Sequence, residues 1–308
     1  MATPLAIVVF LASAAVTLGA AAFFADRLDH VGPRLGLPEA VVGLVTALAA
    51  DAPELSSAVA ALARGEKQAS LGVVLGSNVF NLAAMVGLTA FVCGAVRLRR
   101  DALALEGGVA LLTTLVAALL LVGVLPAWLA VLLFAAVLVP YLLAVGRASD
   151  GHGRARHEGP LWKPLAQIVP AVALIVVGAT GMVRAALDLA HRWHVSQTIV
   201  GIFVLAVLTS LPNAFTAVRL GRAGRGAALV TETLASNTIN LAGGVLLPAL
   251  VVGLAASTRL VQADLVWVGG MTVVAIALLA PRRGVSARGG LLLVALYAAF
   301  VAVQLAYG

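Results

Sequence analysis

Residues 47–88 read ALAADAPELSSAVAALARGEKQASLGVVLGSNVFNLAAMVGL, and residues 207–247 read VLTSLPNAFTAVRLGRAGRGAALVTETLASNTINLAGGVLL. The two stretches are copies of one pattern. A shift of 159 residues superposes five pairs of positions: Pro53 on Pro212, Ser77 on Ser236, Asn78 on Asn237, Asn81 on Asn240 and Leu82 on Leu241. Upstream, VVG at 41–43 matches IVG at 199–201 with a shift of 158, so the first copy is one residue shorter before its proline.

The rest of the chain is strongly apolar. Of its 308 residues, 62% are hydrophobic and 11% are charged, whereas a soluble domain carries about a quarter charged residues. Apolar runs of roughly 20 residues, the length that crosses a bilayer, recur from end to end. The sequence therefore predicts an all-α integral membrane protein with ten transmembrane helices, at 5–24, 39–63, 69–96, 102–124, 127–145, 165–187, 196–218, 226–254, 260–279 and 290–305.

The spacing of the copies sets their relative direction. Each copy covers two predicted spans, the second and third or the seventh and eighth, and five spans separate them. An odd number of crossings reverses direction, so the chain divides into two inverted five-helix halves. These are 1–146 with the first repeat (about 41–88) and 164–308 with the second (about 199–247), joined by a cytoplasmic linker at 147–163. Inverted repeats with Pro- or Gly-interrupted helices indicate a transporter whose site lies near the midplane.

The net charge of +7 reflects orientation and not a nucleic-acid partner. If the N-terminus is outside, 15 of the 20 Lys and Arg residues fall in inward-facing connections. This bias fits the positive-inside rule and predicts a multi-pass protein of the plasma or inner membrane with both termini outside. Cys93 is the single cysteine, so no intramolecular disulfide forms. The expected partners are the lipid bilayer and inorganic cations, and nothing in the sequence indicates an obligatory protein partner.

Two acidic residues stand near the middle of the second span. Asp51 and Glu54 are three residues apart and share a helix face. A charged side chain at that depth costs about 2.5–3.5 kcal/mol even on the insertion scale, and no basic residue lies mid-span nearby in sequence. Either Arg184 or Arg219 reaches in to form a structural ion pair, or a bound cation or protons supply the positive charge. We favour the second interpretation, because arginines near helix ends usually extend towards the membrane surface.

Further oxygen donors recur at helical spacing in the same four spans. They are Ser77 and Asn81 in the third, Thr209, Ser210 and Asn213 in the seventh, and Ser236 and Asn240 in the eighth. Hard cations such as Ca²⁺ take six to eight oxygens. Each hydroxyl could alone serve close helix packing, but together with Asp51 and Glu54 the set predicts a cation site between spans two, three, seven and eight.

Other acidic residues are placed less deeply. Glu232 lies four residues before Ser236 on one helix face, and is either a possible part of the ion path or a solvated helix-end carboxylate. Four acids near span starts are predicted to be interfacial: Glu39, Asp101, Glu106 and Asp264. All five histidines fall in loops, so no transition-metal cluster is expected.

The paired motifs resemble the α-repeats of the sodium/calcium exchanger family, within the cation/Ca²⁺ exchanger superfamily. That family's pattern reads roughly G-T-S-x-P-E followed by G-S-N-x-x-N. This chain has AADAPE at 49–54 and GSNVFN at 76–81, then LTSLPN at 208–213 and ASNTIN at 235–240. With ten spans in inverted halves, the resemblance covers essentially the whole chain.

The resemblance implies ten helices in a 5 + 5 arrangement, with spans one and six sliding across a core that holds the ions. It implies that Glu54 is the central ligand and that six residues flank it: Ser77, Asn81, Thr209, Ser210, Ser236 and Asn240. The chain departs from the family at three positions. Asn213 stands where a second glutamate is typical, Asp51 where serine is usual, and Glu232 where asparagine is common.

From these features we expect a secondary active antiporter that exchanges Na⁺ for Ca²⁺ by alternating access, without a cofactor. The alternative is a cation/proton antiporter, for Ca²⁺/H⁺ or Na⁺/H⁺, that uses Asp51 and Glu54 as proton-exchangeable carboxylates. An intramembrane hydrolase is disfavoured because the sequence has neither a G-D-type aspartate pair nor an intramembrane Ser–His pair. Inverted, interrupted repeats also favour alternating access over a passive channel.

Overall fold

The computed structural model describes residues 3–31, 47–48, 50–97, 100–148, 162–281 and 283–307. The start of the second predicted span (39–46, with Glu39), most of the predicted linker (149–161) and the side chain of Asp101 lie outside these described residues. So do five of the basic residues counted for orientation: Arg34, Arg99, Arg154, Arg156 and Arg282.

Ten helices occur in the described part of the chain, one for each predicted span. They are α1 (Thr3–Val31), α2 (Ala52–Ala63), α3 (Lys67–Cys93), α4 (Arg100–Leu121), α5 (Ala127–Ala148), α6 (Trp162–Trp193), α7 (Gln197–Arg222), α8 (Gly226–Val252), α9 (Arg259–Leu279) and α10 (Ala287–Tyr307). Eight are long and apolar enough to cross a membrane, α5 adds a shorter apolar stretch, and α2 is described over 12 residues. Helices are expected here because lipid offers the backbone no hydrogen-bond partner.

A short antiparallel ladder joins two connections on one side of the bundle. Its strands are β1 (Ala95–Val96), after α3, and β2 (Val285–Ser286), before α10, with Ala95 opposite Ser286. The ladder ties the end of the first repeat to the last helical hairpin of the chain.

The turns around the two repeats use glycine at matching positions. Gly65 between α2 and α3 has φ 79°, and Gly224 between α7 and α8 has φ 70°. This backbone conformation is one that glycine adopts without steric cost. The same 159-residue shift that superposes the polar motifs relates the two glycines, so the repeat extends from the polar motifs into the hairpin turns.

The helices that carry the motifs GSNVFN and ASNTIN, α3 and α8, change from α-helical to π-helical geometry directly after the motif. α3 is α-helical over Lys67–Asn81 and π-helical over Leu82–Leu88, while α8 is α-helical over Gly226–Leu241 and π-helical over Ala242–Leu246. A third π segment, Val200–Leu205, lies near the start of α7. Wide turns of this kind occur often at functional sites, and no spacing in the sequence indicates them.

α3 is the most deeply buried of the candidate spans and crosses α7 at very short distance. A Cβ atom on Gly76 would lie 2.8 Å from the Cα of Ile202, and one on Gly72 would lie 2.7 Å from the carbonyl oxygen of Thr198. Glycines on α3 therefore let the backbones of the two repeats approach closely, as small residues do between membrane helices.

Two of the acids predicted to be interfacial, Glu106 and Asp264, have side chains buried between helices of the bundle. Glu106 is 8% exposed, and the Tyr141 hydroxyl lies 3.1 Å from both of its carboxylate oxygens. Asp264 is fully buried and accepts a hydrogen bond from Gln304. Position near the start of a span gives the depth of a residue but not the face it occupies, and both residues face neighbouring helices.

The α3–α7 crossing predicts that Gly76→Ala destabilises the protein. The new methyl group would meet the main chain of Ile202, which cannot move aside as a flexible side chain can, and overpacking of this kind costs about 1–3 kcal/mol. The apparent melting temperature in detergent should fall.

The matched control is Gly108→Ala on α4, where a Cβ meets nothing within 4 Å. It should leave the melting temperature unchanged or raise it slightly, since alanine favours the helix. Equal melting temperatures for the two variants would contradict the tight crossing.

Candidate cation site

The two central carboxylates lie where α2 begins. Asp51 immediately precedes the helix and Glu54 lies in its first turn, with Pro53 between them. Proline has no N–H group, so the helical hydrogen-bond pattern is interrupted at this point. Both acidic side chains are fully buried.

Donors from the second repeat bind both carboxylates. The Oδ1 atom of Asp51 accepts from Asn213 Nδ2 on α7 at 2.9 Å and from Ser236 Oγ on α8 at 2.5 Å. The Oε1 atom of Glu54 accepts from Ser210 Oγ on α7 at 2.8 Å. All three donors are neutral groups, so the acids of one half are oriented, but not neutralised, by the other half.

The asparagines of the two motifs link α3 to α8. Asn81 Nδ2 donates to Ser236 Oγ and to Asn237 Oδ1, each at 3.2 Å. Asn78 Nδ2 donates to the backbone oxygen of Asn237 at 3.1 Å, and Asn237 Nδ2 donates to that of Asn78 at 3.0 Å. This reciprocal pair was not among the predicted site residues, although the identity of Asn78 and Asn237 at matching repeat positions was its signal.

Several buried oxygens around these contacts have no hydrogen-bond partner within the described residues. They are Asp51 Oδ2, Glu54 Oε2, Ser77 Oγ, Asn78 Oδ1, Asn81 Oδ1, Asn213 Oδ1 and Asn240 Oδ1. Buried polar atoms normally have partners, because an unpaired one costs about 1–3 kcal/mol. The side-chain N–H groups of Asn81 and Asn213 donate to protein atoms, and the side-chain oxygens of these two residues are left without a hydrogen-bond partner in the described part of the chain. Hard cations are bound by oxygen atoms, so these unpaired oxygens are suitable ligands for such a cation.

The structure unites most of the predicted site residues but not all. Six make direct hydrogen bonds in two groups, Glu54 with Ser210 and Asp51 with Asn213 and Ser236, the last of which also accepts from Asn81; we name these six the carboxylate cluster. Ser77 and Asn240 are buried one turn from cluster residues on α3 and α8. The Thr209 hydroxyl instead donates to the backbone of its own helix, at Leu205 and Ala206, and Glu232 is half-buried.

Within the described part of the chain, no lysine or arginine forms an ion pair with Asp51 or Glu54. The two arginines considered as structural partners, Arg184 and Arg219, are exposed. The ion-pair interpretation therefore finds no support in the positions of these two residues. Neutral donors alone surround the two acids.

Comparison with known proteins places the chain in a family. The family model described as "Sodium/calcium exchanger protein" matches residues 5–146 and 163–306. The inner membrane protein YrbG of Escherichia coli (strain K12) is 28% identical over 249 residues, which cover 74% of this chain and 76% of YrbG.

Solved structures share the fold. The sodium-calcium exchanger NCX_Mj is 19% identical with a TM-score of 0.68, over 97% of this chain and 99% of that one. The H⁺/Ca²⁺ exchanger CAX is 14% identical with a TM-score of 0.76, over 98% of this chain and 87% of that one. The family resemblance and the all-α fold predicted from the apolar runs and the repeats are thereby confirmed.

The reciprocal asparagine pair predicts a specific pattern of stability loss. Asn78→Ala removes one buried hydrogen bond between α3 and α8, and Asn237→Ala removes two, because Asn237 Oδ1 also accepts from Asn81; each bond is worth about 0.5–1.5 kcal/mol. Each variant should lower the melting temperature, and the double variant should lower it further. Thr238→Val is the control, because the Thr238 hydroxyl bonds only to its own helix at Leu234. A larger loss in the control than in the asparagine variants would contradict the link.

Proposed function

We propose, because this chain belongs to the sodium/calcium exchanger protein family, that it exchanges Na⁺ for Ca²⁺ by alternating access at the carboxylate cluster. Members of this family are membrane cation antiporters and not enzymes, and they move Ca²⁺ and Na⁺ or H⁺ without a cofactor. The proposal concerns which ions this chain couples and where they bind.

One observation carries the proposed site: two fully buried carboxylates are contacted by neutral donors alone. One Ca²⁺ or two monovalent cations would supply the charge that the protein does not. Ser77 and Asn240 would add ligands from α3 and α8. The Thr209 hydroxyl donates its hydrogen to its own helix, which would leave its oxygen lone pairs for a cation. Glu232, half-buried one turn before Ser236, would lie on the path to the cluster.

The same charges would enforce exchange. With no cation bound, closing the cluster would leave two buried carboxylates without a counter-charge, and an uncompensated buried charge costs several kcal/mol. The protein would therefore change its accessible side only when loaded. Ions would consequently move in both directions instead of leaking in one.

Packing of the first helix of each half supports a moving pair. Ser13 and Thr17 on α1 lie directly against Gly178 and Gly181 on α6, with no room for a Cβ on either glycine. α6 also packs against α2. We propose that α1 and α6 move together across the helices that hold the carboxylate cluster. We further propose that the protein lies in the plasma or inner membrane with both termini outside.

A cation/proton antiporter is the second candidate. Asp51 Oδ2 and Glu54 Oε2 both lack a protein partner among the described residues, so either oxygen can accept a proton, which would relieve repulsion between the two acids. The fold shared with the H⁺/Ca²⁺ exchanger CAX supports this candidate equally well. If this candidate exchanges Ca²⁺ for H⁺, it differs from the first only in the ion that returns; if it exchanges Na⁺ for H⁺, it does not move Ca²⁺.

The first test neutralises the acids without changing their shape. Glu54→Gln and Asp51→Asn keep the oxygens that accept from Ser210, Asn213 and Ser236, so folding should persist. Uptake of ⁴⁵Ca²⁺ into proteoliposomes should fall by about 100-fold or more. The bound Ca²⁺ would lose one of its carboxylate partners, and the loss of one partner from a buried charge pair costs about 3–5 kcal/mol.

Glu106→Gln is the matched control, because it neutralises another buried acid outside the cluster. Uptake retained by Glu54→Gln but lost in Glu106→Gln would reject the proposed site. An imposed Na⁺ gradient should drive uptake in the unmodified protein. Uptake that responds to a pH gradient and not to sodium would select the proton candidate.

The second test restores the family glutamate. Asn213→Glu would place a third carboxylate beside Asp51, where Asn213 now donates, and should change the ratio of Na⁺-driven to H⁺-driven Ca²⁺ uptake. Asn213→Gln, which is equally long but uncharged, should leave that ratio close to the original. An unchanged ratio in Asn213→Glu would show that position 213 does not face the transported ions.

A further inference from the structure

A second buried polar pair lies outside the carboxylate cluster, between the last two helices. Asp264 on α9 and Gln304 on α10 are both fully buried. Gln304 Nε2 donates to Asp264 Oδ1 at 2.6 Å and to the carbonyl oxygen of Leu260 at 3.3 Å. Both N–H groups of the amide are therefore in use.

Two acceptors are left over in this pair. Asp264 Oδ2 and Gln304 Oε1 have no hydrogen-bond partner among the described residues. An ionised carboxylate and an amide oxygen can only accept, so they cannot satisfy each other. One proton on Oδ2 changes that, because the carboxylic acid then has a hydrogen that the amide oxygen can accept. The acid and the amide would share two reciprocal hydrogen bonds, and no charge would be buried.

The surroundings favour a proton over a metal ion. A Ca²⁺ ion takes six to eight oxygens, whereas this pair has two free ones and the Leu260 carbonyl already accepts. One turn away, Trp267 on α9 and Phe300 on α10 pack edge to face with ring centroids 5.9 Å apart. On α9 itself, Val261 and Val268 are buried on either side of Asp264. Apolar side chains thus flank the pair along both helices.

The charged side chains described on the helices that pack against α9 have other partners or lie at other positions. Lys67 on α3 donates to the carbonyl oxygens of Val252 and Gly253. Glu106 on α4 is bonded to Tyr141, and Arg288 stands at the opposite end of α10 from Gln304. None of the described basic residues forms an ion pair with Asp264. A charged Asp264 would therefore be uncompensated, which is the costly state for a buried acid.

We propose that Asp264 and Gln304 form a proton-binding site in which Asp264 stays protonated on Oδ2 and joins α9 to α10 as a neutral acid–amide pair. This proton is resident and is not exchanged during transport. The site is separate from Asp51 and Glu54, and it stands whether Na⁺ or H⁺ is the coupled ion.

Infrared difference spectroscopy of the purified, full-length protein tests the proposal. Wild type minus Asp264→Asn should contain the carbonyl band of a protonated carboxylic acid at neutral pH. Asp188→Asn is the matched control: Asp188 is ion-paired with Arg192 at 3.3 Å, so its removal should change carboxylate bands only. Absence of the acid band from the Asp264→Asn difference would show that Asp264 is ionised and would overturn the proposal.

Two further readouts keep the test independent of folding defects. An asparagine side chain in place of Asp264 would retain both reciprocal hydrogen bonds, so Asp264→Asn should keep the melting temperature and the calcium uptake, while Asp264→Leu should lower the melting temperature. In Gln304→Leu the acid band should move, because the proton loses its acceptor. A loss of uptake in Asp264→Asn as large as that in Asp51→Asn would contradict a resident proton.

Discussion

The carboxylates of Asp51 and Glu54 impose the constraint around which the rest of the bundle is arranged. They are fully buried, and no basic residue among those described pairs with them. Removing a charge from water is costly unless an opposite charge accompanies it. The protein supplies oriented neutral donors to hold the acids in place, and under the proposed function a bound cation or protons would supply the missing charge. Such a site would be more stable with ions bound than without them, which is the property an exchanger needs.

The inverted repeat makes that site possible. Because the two halves run in opposite directions, the interrupted start of α2 meets α7 and α8 from the other half. Each half then provides what the other lacks: the first gives the acids, and the second gives Ser210, Asn213 and Ser236 as donors. The backbone contact of Gly76 with Ile202 and the reciprocal bonds of Asn78 and Asn237 hold the halves at the required distance.

The sequence was sufficient for the fold and for the central part of the candidate site. Apolar runs mark the spans, and the 159-residue repeat identifies α2, α3, α7 and α8 as the helices with polar motifs. Side-chain direction was harder to predict. The Thr209 hydroxyl donates to its own helix, and Asp264 pairs with Gln304, 40 residues away on another helix. Such pairs depend on which helix faces meet, and that is set by packing and not by local spacing. The π-helical segments after Asn81 and Leu241 also have no local sequence signal.

The most direct test of the carboxylate cluster as the ion site is an anomalous difference map from crystals of the protein grown with Sr²⁺ in place of Ca²⁺. A peak is predicted between α2 and α7. Its distance from the free oxygens of Asp51 and Glu54 should be about 2.3–2.6 Å, as for Ca²⁺, or slightly longer. An arginine or lysine paired with these acids, or a peak at another place with none at the carboxylate cluster, would contradict that assignment.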